Sequence, residues 1–199
     1  MPKSHKLVYA LYIVVCIVMA INPKYPDAWL LENVLVILIF PFIIWMDSKH
    51  HYTLTSIILL FLFASLHSLG SHYTYAEMEL FDVITQYFGF ERNHFDRFVH
   101  FLFGLLLFRI LFEMTTSDID TFKKSLLFTF TMIITIATLY ELAEWLVATI
   151  LYPKLGMAFL GTQGDIWDAH KDIAVAIIGA LINMAFYSNY KHLWLTRKI

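Results

Sequence analysis

Carboxylates and histidines recur in stretches that are otherwise apolar, at spacings that put them on helix faces. Asp96 and His100 stand four apart, with Gly104 one turn further on, and Glu141 and Glu144 stand three apart, after Thr138. Asp165, Asp168, Asp172, Ala176, Gly179 and Asn183 follow at intervals of three or four. Such neighbours share a helix face, so each set forms a stripe. His67 and His72 close a further apolar run. Several carboxylates in a low-dielectric pocket must take up protons, pair with cations or bind a metal. Oxygen donors beside imidazole suit a divalent ion: zinc where imidazole dominates, magnesium or manganese where oxygen does. Such an ion can activate water or stabilise a phosphate. On this reading His67, Asp96, His100, Asp165 and Asp172 are metal ligands, and Glu141, Glu144 and Asp168 are catalytic. Arg97 and Lys171 hold an anionic headgroup, with Gln163, His72 and Tyr73 as further substrate contacts. The spacing matches no standard metal motif such as H-E-x-x-H.

The elements that must position these residues are membrane helices. The 199 residues are 59% hydrophobic and 15% charged, with mean hydropathy +0.66. Soluble domains average roughly 45–50% apolar and roughly 25% charged, so lipid is the expected solvent. The single Cys16 excludes an internal disulfide framework and a Cys-based zinc site. No repeat, linker or nucleic-acid-binding basic patch is present. Apolar runs at 7–21, 30–46, 54–70, 95–112, 125–151 and 168–187 predict six spans, since crossing takes roughly 17–25 residues. The predicted architecture is one all-α transmembrane bundle over residues 1–199. Turn residues separate the runs: Asn22-Pro23-Lys24-Tyr25-Pro26, Asp47-Ser48-Lys49, Thr116-Ser117-Asp118 and Tyr152-Pro153. Lys3 and Lys6 precede the first run as in a signal peptide. No small-residue cleavage site follows, so it reads as a retained helix.

Six spans put both termini and the second and fourth loops on one side. That side carries nine Lys and Arg (Lys3, Lys6, Lys49, Arg109, Lys123, Lys124, Lys191, Arg197, Lys198). The other carries five (Lys24, Arg92, Arg97, Lys154, Lys171). The bias places both termini in the cytoplasm and collects the acidic stripes near the outer surface. At 1.5 Å per residue from Ser125, Glu141 lies roughly 24 Å up and Glu144 roughly 28 Å. Arg97 and Lys171 are the strong cations expected within reach. Phe159 to Asp168 opens the sixth span; Gly161 and Gly164 permit unusual backbone angles there, and the segment can form a pocket floor. Structural roles compete. Glu141 with Arg97, or Asp172 with Lys171 or His100, can be interhelical pairs. Asp165 or Asp168 can cap the last helix, and His72, Tyr73 and Tyr75 can be interfacial anchors. His5, His94 and His192 receive no role.

Four segments carry a family resemblance. His67-Ser68-Leu69-Gly70-Ser71-His72-Tyr73-Thr74-Tyr75 resembles the H-x-x-G-x-H-Y-T-Y segment of the YjdF-like bacterial inner-membrane proteins. Arg92-Asn93-His94-Phe95-Asp96-Arg97-Phe98-Val99-His100-Phe101 resembles their R-N-x-x-D-R-x-x-H-F. Tyr140-Glu141-Leu142-Ala143-Glu144-Trp145 is similar to their Y-E-x-x-E-W, and Gly161 to Asp172 to their G-T-Q-G-D-x-W-D-A-x-K-D, with His170 at the variable position. More distantly, Asp96-Arg97 and His100 followed by Glu141 and Glu144 look like the VanZ-like pattern, whose second block is usually E-x-x-Q. The resemblance implies a multi-pass protein of the bacterial inner membrane and names no reaction. Three functions are therefore weighed: a metal-dependent enzyme acting on a lipid or lipid-linked envelope substrate, a proton- or cation-coupled transporter, and a non-catalytic membrane module. The bilayer is the partner all three share; the sequence does not set the oligomeric state.

Overall fold

The computed structural model describes residues 1–116, 118–151 and 162–197. Ser117, the Tyr152-Pro153 break, Lys154, Phe159 to Gly161 and Lys198 lie outside them. Among the described residues there are eight α-helices and no strand. They are α1 Lys3–Met19, α2 Pro26–His50, α3 Leu54–Tyr73, α4 Glu79–Phe88, α5 Phe95–Thr115, α6 Phe122–Leu146, α7 Asp168–Met184 and α8 Tyr187–Arg197. A 3-10 turn, Tyr75–Glu77, precedes α4, and a π turn, Val147–Leu151, extends α6. Four helices are long and apolar enough to cross a membrane: α2, α3, α5, and α6 with its extension to Ile150. At 17 residues each, α1 and α7 complete six long helices.

Helix ends follow local chemistry. Pro26 opens α2 with Asp27 in the first turn, where a fixed φ and a negative charge both favour initiation. Thr53 caps α3 by accepting from Ser56 N–H, and Gly89 ends α4 at φ 68°, a left-handed cap that glycine adopts without strain. The expected Asp47-Ser48-Lys49 turn is instead helical, and α2 runs on to His50. The cause is Asp47 itself, which is fully buried. It accepts from His5 Nδ1 at 2.8 Å, Tyr9 at 3.2 Å and the Tyr52 N–H at 3.1 Å, so the last turn is fixed from three sides.

The helices alternate up and down. His5 on Asp47, and Tyr190 against Phe108 and Phe112, bring both chain ends to one end of the bundle, called here the terminal end. Beside Asp47, Glu113 is also buried there and accepts from Thr53 and Ser56. The closest helix contact is α5 against α7. A Cβ on Gly104 would strike the Ala176 carbonyl, and one on Gly179 the Phe101 carbonyl. Small residues thus let two backbones touch, and Asn183 adds a hydrogen bond to the Leu105 carbonyl. Large apolar side chains such as Ile37, Leu38, Leu127 and Leu139 point outward, as expected where lipid replaces water.

Candidate functional site

At the opposite end, called here the site end, the starts of α5 and α7 and the last turns of α3 and α6 meet. The close approach of α5 and α7 sets Asp96, Arg97 and His100 against Asp168 and Asp172. One oxygen from each of Asp96, Asp168 and Asp172 lies within 4.8 Å of the other two. His100 Nε2 lies 3.6 Å from Asp96 and 3.2 Å from Glu141 of α6.

The cluster has two halves. The first is salt-bridged. Arg92, buried, grips both oxygens of Asp168 and donates to the Thr162 carbonyl at 3.3 Å. Arg97 reaches Asp165 at 2.5 Å and Asp168 at 3.1 Å, and Lys171 reaches Asp165 at 2.6 Å. The Lys171 ammonium, the Trp167 N–H and the Arg97 guanidinium hold the Asp165 carboxyl well below the usual carboxylate range, so it is ionised at neutral pH. In the second half an acceptor is left unfilled. Asp172 is 1% exposed, yet its Oδ1 takes no hydrogen bond among the described residues, nor does Arg97 Nε donate one; Glu141 Oε1 has only the 3.2 Å approach of His100 Nε2. Arg97 Nε and Asp172 Oδ1 are 3.9 Å apart. Buried polar atoms without partners are rare in folded proteins.

A second polar group adjoins this one. Tyr140 donates to Glu32 of α2 at 2.8 Å, and its ring meets His100 edge-on. Glu144 lies near enough to Glu32, Glu141 and Asp96 to feel their charge. His67 is engaged at both nitrogens: Nε2 donates to the Glu32 carbonyl at 3.3 Å, so Nδ1 must accept from Tyr75 at 2.5 Å. Seven carboxylates (Glu32, Asp96, Glu141, Glu144, Asp165, Asp168, Asp172) therefore gather around Arg92, Arg97 and Lys171. Negative charge exceeds positive by about four if every group ionises, and low dielectric forbids that without protons or a bound cation.

The other sequence-predicted residues serve as ties. Gln163 uses its whole amide on the Asn93 backbone, accepting from N–H at 2.9 Å and donating to C=O at 3.0 Å. That grip holds Gln163 at φ 48°, beside Gly164 at φ 87°, positions where a non-glycine residue is strained. His72 donates to the Met19 carbonyl at 2.9 Å and stacks edge-on with Tyr73. Asp165 accepts from the Trp167 N–H at 3.0 Å just before α7. The expected pairs also differ: Glu141 meets His100 rather than Arg97, because Arg97 is drawn to Asp165 and Asp168. Arg92 has to be added to the cations within reach. It and Asn93 stand in the R-N-x-x-D-R segment, and Tyr140 in Y-E-x-x-E-W. The signal for Glu32 is an isolated charge inside an apolar run.

A bundle of long apolar helices with buried carboxylates at one end defines a multi-pass integral membrane protein. Residues 4–192 match a family described as "Predicted membrane protein (DUF2238)", and the chain belongs to that family. It is 30% identical over 166 residues to the inner membrane protein YjdF of Escherichia coli strain K12, covering 81% of this chain and 78% of that protein. No solved structure matches it.

Proposed function

We propose that the site end binds a divalent cation and that the protein is a metal-dependent enzyme of the bacterial inner membrane, working at the outer surface on a lipid or lipid-linked substrate. The observation that carries this is the buried Asp172 Oδ1, which takes no hydrogen bond among the described residues, in a cluster where oxygens of Asp96, Asp168 and Asp172 lie within 4.8 Å of one another and His100 bridges Asp96 and Glu141. The donor set fits: mixed oxygen and imidazole suits manganese or zinc, and magnesium if oxygen dominates. Asp96, Asp172 and His100 would hold the ion, with Asp168 contributing whatever Arg92 and Arg97 leave available. A bound ion would supply Lewis acidity toward a water or a phosphoryl oxygen. Glu141, beside His100, is the group placed to take a proton. Arg97 and Lys171 share their charge with Asp165, so an anionic headgroup competes with that carboxylate. The excess of Lys and Arg at the terminal end supports cytoplasmic termini and an outward site.

The test is metal content of the detergent-purified protein by elemental mass spectrometry, beside Asp172→Asn and Glu141→Gln. Near-stoichiometric zinc, manganese or magnesium in the wild type, lost in Asp172→Asn, is expected. A folded wild type that takes up none of the three when offered them sinks the proposal. The salt-bridged half supports a second, structural role: it ties the segment before α5 to the turn before α7, whether or not an ion binds.

A further inference from the structure

α4 is amphipathic the wrong way round for water. Two of its polar residues face the protein, Asp82 accepting from Asn93 Nδ2 at 2.7 Å and Thr85 donating to the Arg92 carbonyl at 3.2 Å, while Glu79 and Gln86 are exposed along one border of the outward face. Phe81 packs on Phe95 and Phe98. Its apolar stripe, Leu80, Val83 and Tyr87, faces away and is 61%, 64% and 83% exposed. These positions follow i, i+3 and i+7, one side of a helix. Phe88 and Phe90 extend the patch.

We propose that α4 is an in-plane membrane helix, seated at the lipid–water boundary of the site end with Leu80, Val83 and Tyr87 among the acyl chains. Chain geometry keeps it close to the ends of two spanning helices. Five residues join α4 to the end of the spanning helix α3, and six join it to the start of spanning helix α5. At no more than about 3.6 Å per residue, the linkers keep α4 within about 20 Å of those two helix ends. The lipid-facing belt is continuous with the patch through the exposed Phe98 on α5. On the turn that Gln163 ties to Asn93, Ile166 and Trp167 are also exposed, 85% and 57%, and Trp is favoured at the bilayer interface. A short helix with an exposed apolar stripe bordered by the exposed polar Glu79 and Gln86 has the two-sided character of a helix lying in that interface. Asp82 and Thr85 hold Asn93 and Arg92, which hold Gln163 and Asp168. The seat of α4 in lipid is therefore mechanically joined to the carboxylate cluster, with or without a metal there.

The test places nitroxide labels at Leu80, Val83, Gln86 and Tyr87, one at a time, on a Cys16→Ser background, in vesicles of zwitterionic and anionic phospholipid. Collision with oxygen should be high and with an aqueous nickel chelate low at Leu80, Val83 and Tyr87, and the reverse at Gln86. Nickel chelate reaching all four equally would overturn the proposal, because the face would be in water. Dipolar broadening at Leu80 and Val83 that vanishes on dilution with unlabelled protein would overturn it too, since a second copy would then cover the stripe.

Discussion

Asp168 and Asp172 lie one turn apart on α7 in opposite electrostatic circumstances. Both oxygens of Asp168 are bonded by Arg92, and Arg97 adds a third contact. Asp172 is equally buried but has an oxygen with no hydrogen bond and one distant guanidinium. Removing one partner of a buried ion pair strands the other and costs about 3–5 kcal/mol. Removing a buried charge whose one guanidinium stands 3.9 Å away, with no hydrogen bond, relieves a penalty instead. In protein stripped of metal by chelator, Asp168→Asn should therefore lower the melting temperature sharply, whereas Asp172→Asn should leave it unchanged or raise it. Detergent-phase thermal unfolding followed by circular dichroism checks both. Equal losses in the two variants would mean that Asp172 is structurally paired. The same contrast explains what is legible in the sequence. Spacing alone places Asp96, His100, Asp168 and Asp172 on facing stripes. It cannot assign which carboxylate an arginine neutralises, because Arg92 reaches Asp168 across 76 residues of chain.

At the scale of elements, the site is set by how closely α5 approaches α7. The small-residue stripe Ala176, Gly179 and Asn183 makes that contact legible in the sequence, since steric rules for close helices depend on residue size alone. The helix α4 is not legible there: ten residues with an outward apolar face fall short of a span and lie between two clear ones. The length of α2 departs from its sequence pattern for a related reason, as the turn character of Asp47 to Lys49 is overridden by tertiary partners from α1 and Tyr52. The α5–α7 contact makes its own prediction. In Gly104→Ala the new methyl meets backbone, the Ala176 carbonyl, which cannot rotate aside. The helices must separate, at about 1–3 kcal/mol as for other overpacked cores. Ser65→Ala, which adds no atom, serves as control. Gly104→Ala should melt lower and, if an ion binds between Asp96 and Asp172, hold it more weakly; isothermal titration with manganese reads the second effect. A Gly104→Ala variant as stable as the control would show that the two helices do not touch there.

Across the whole molecule, polar groups form two layers separated by an apolar middle. At the terminal end Asp47 is satisfied by His5, Tyr9 and the Tyr52 N–H, and Glu113 by Thr53 and Ser56, with Arg109 at 3.6 Å. At the site end the carboxylates outnumber their cations. Between the layers lie Phe108, Ile133, Ala137, Ala176 and Ala180, all buried, and the glycine contacts that bring α5 against α7. A carrier needs polar groups or water that continue from one face to the other, whereas here the described residues of the interior close over with methyl and phenyl groups. The terminal layer's partners tie α1, α2, α3 and α5 together, and the proposed function requires the site layer to exchange with one side only. Reconstituted protein should then hold an imposed proton gradient as long as protein-free vesicles do, with or without manganese, measured with an entrapped pH dye. Gradient collapse that disappears in Asp172→Asn would assign the carboxylates to transport and displace the enzyme reading. A gradient that persists agrees with a one-sided site, as the proposed function requires.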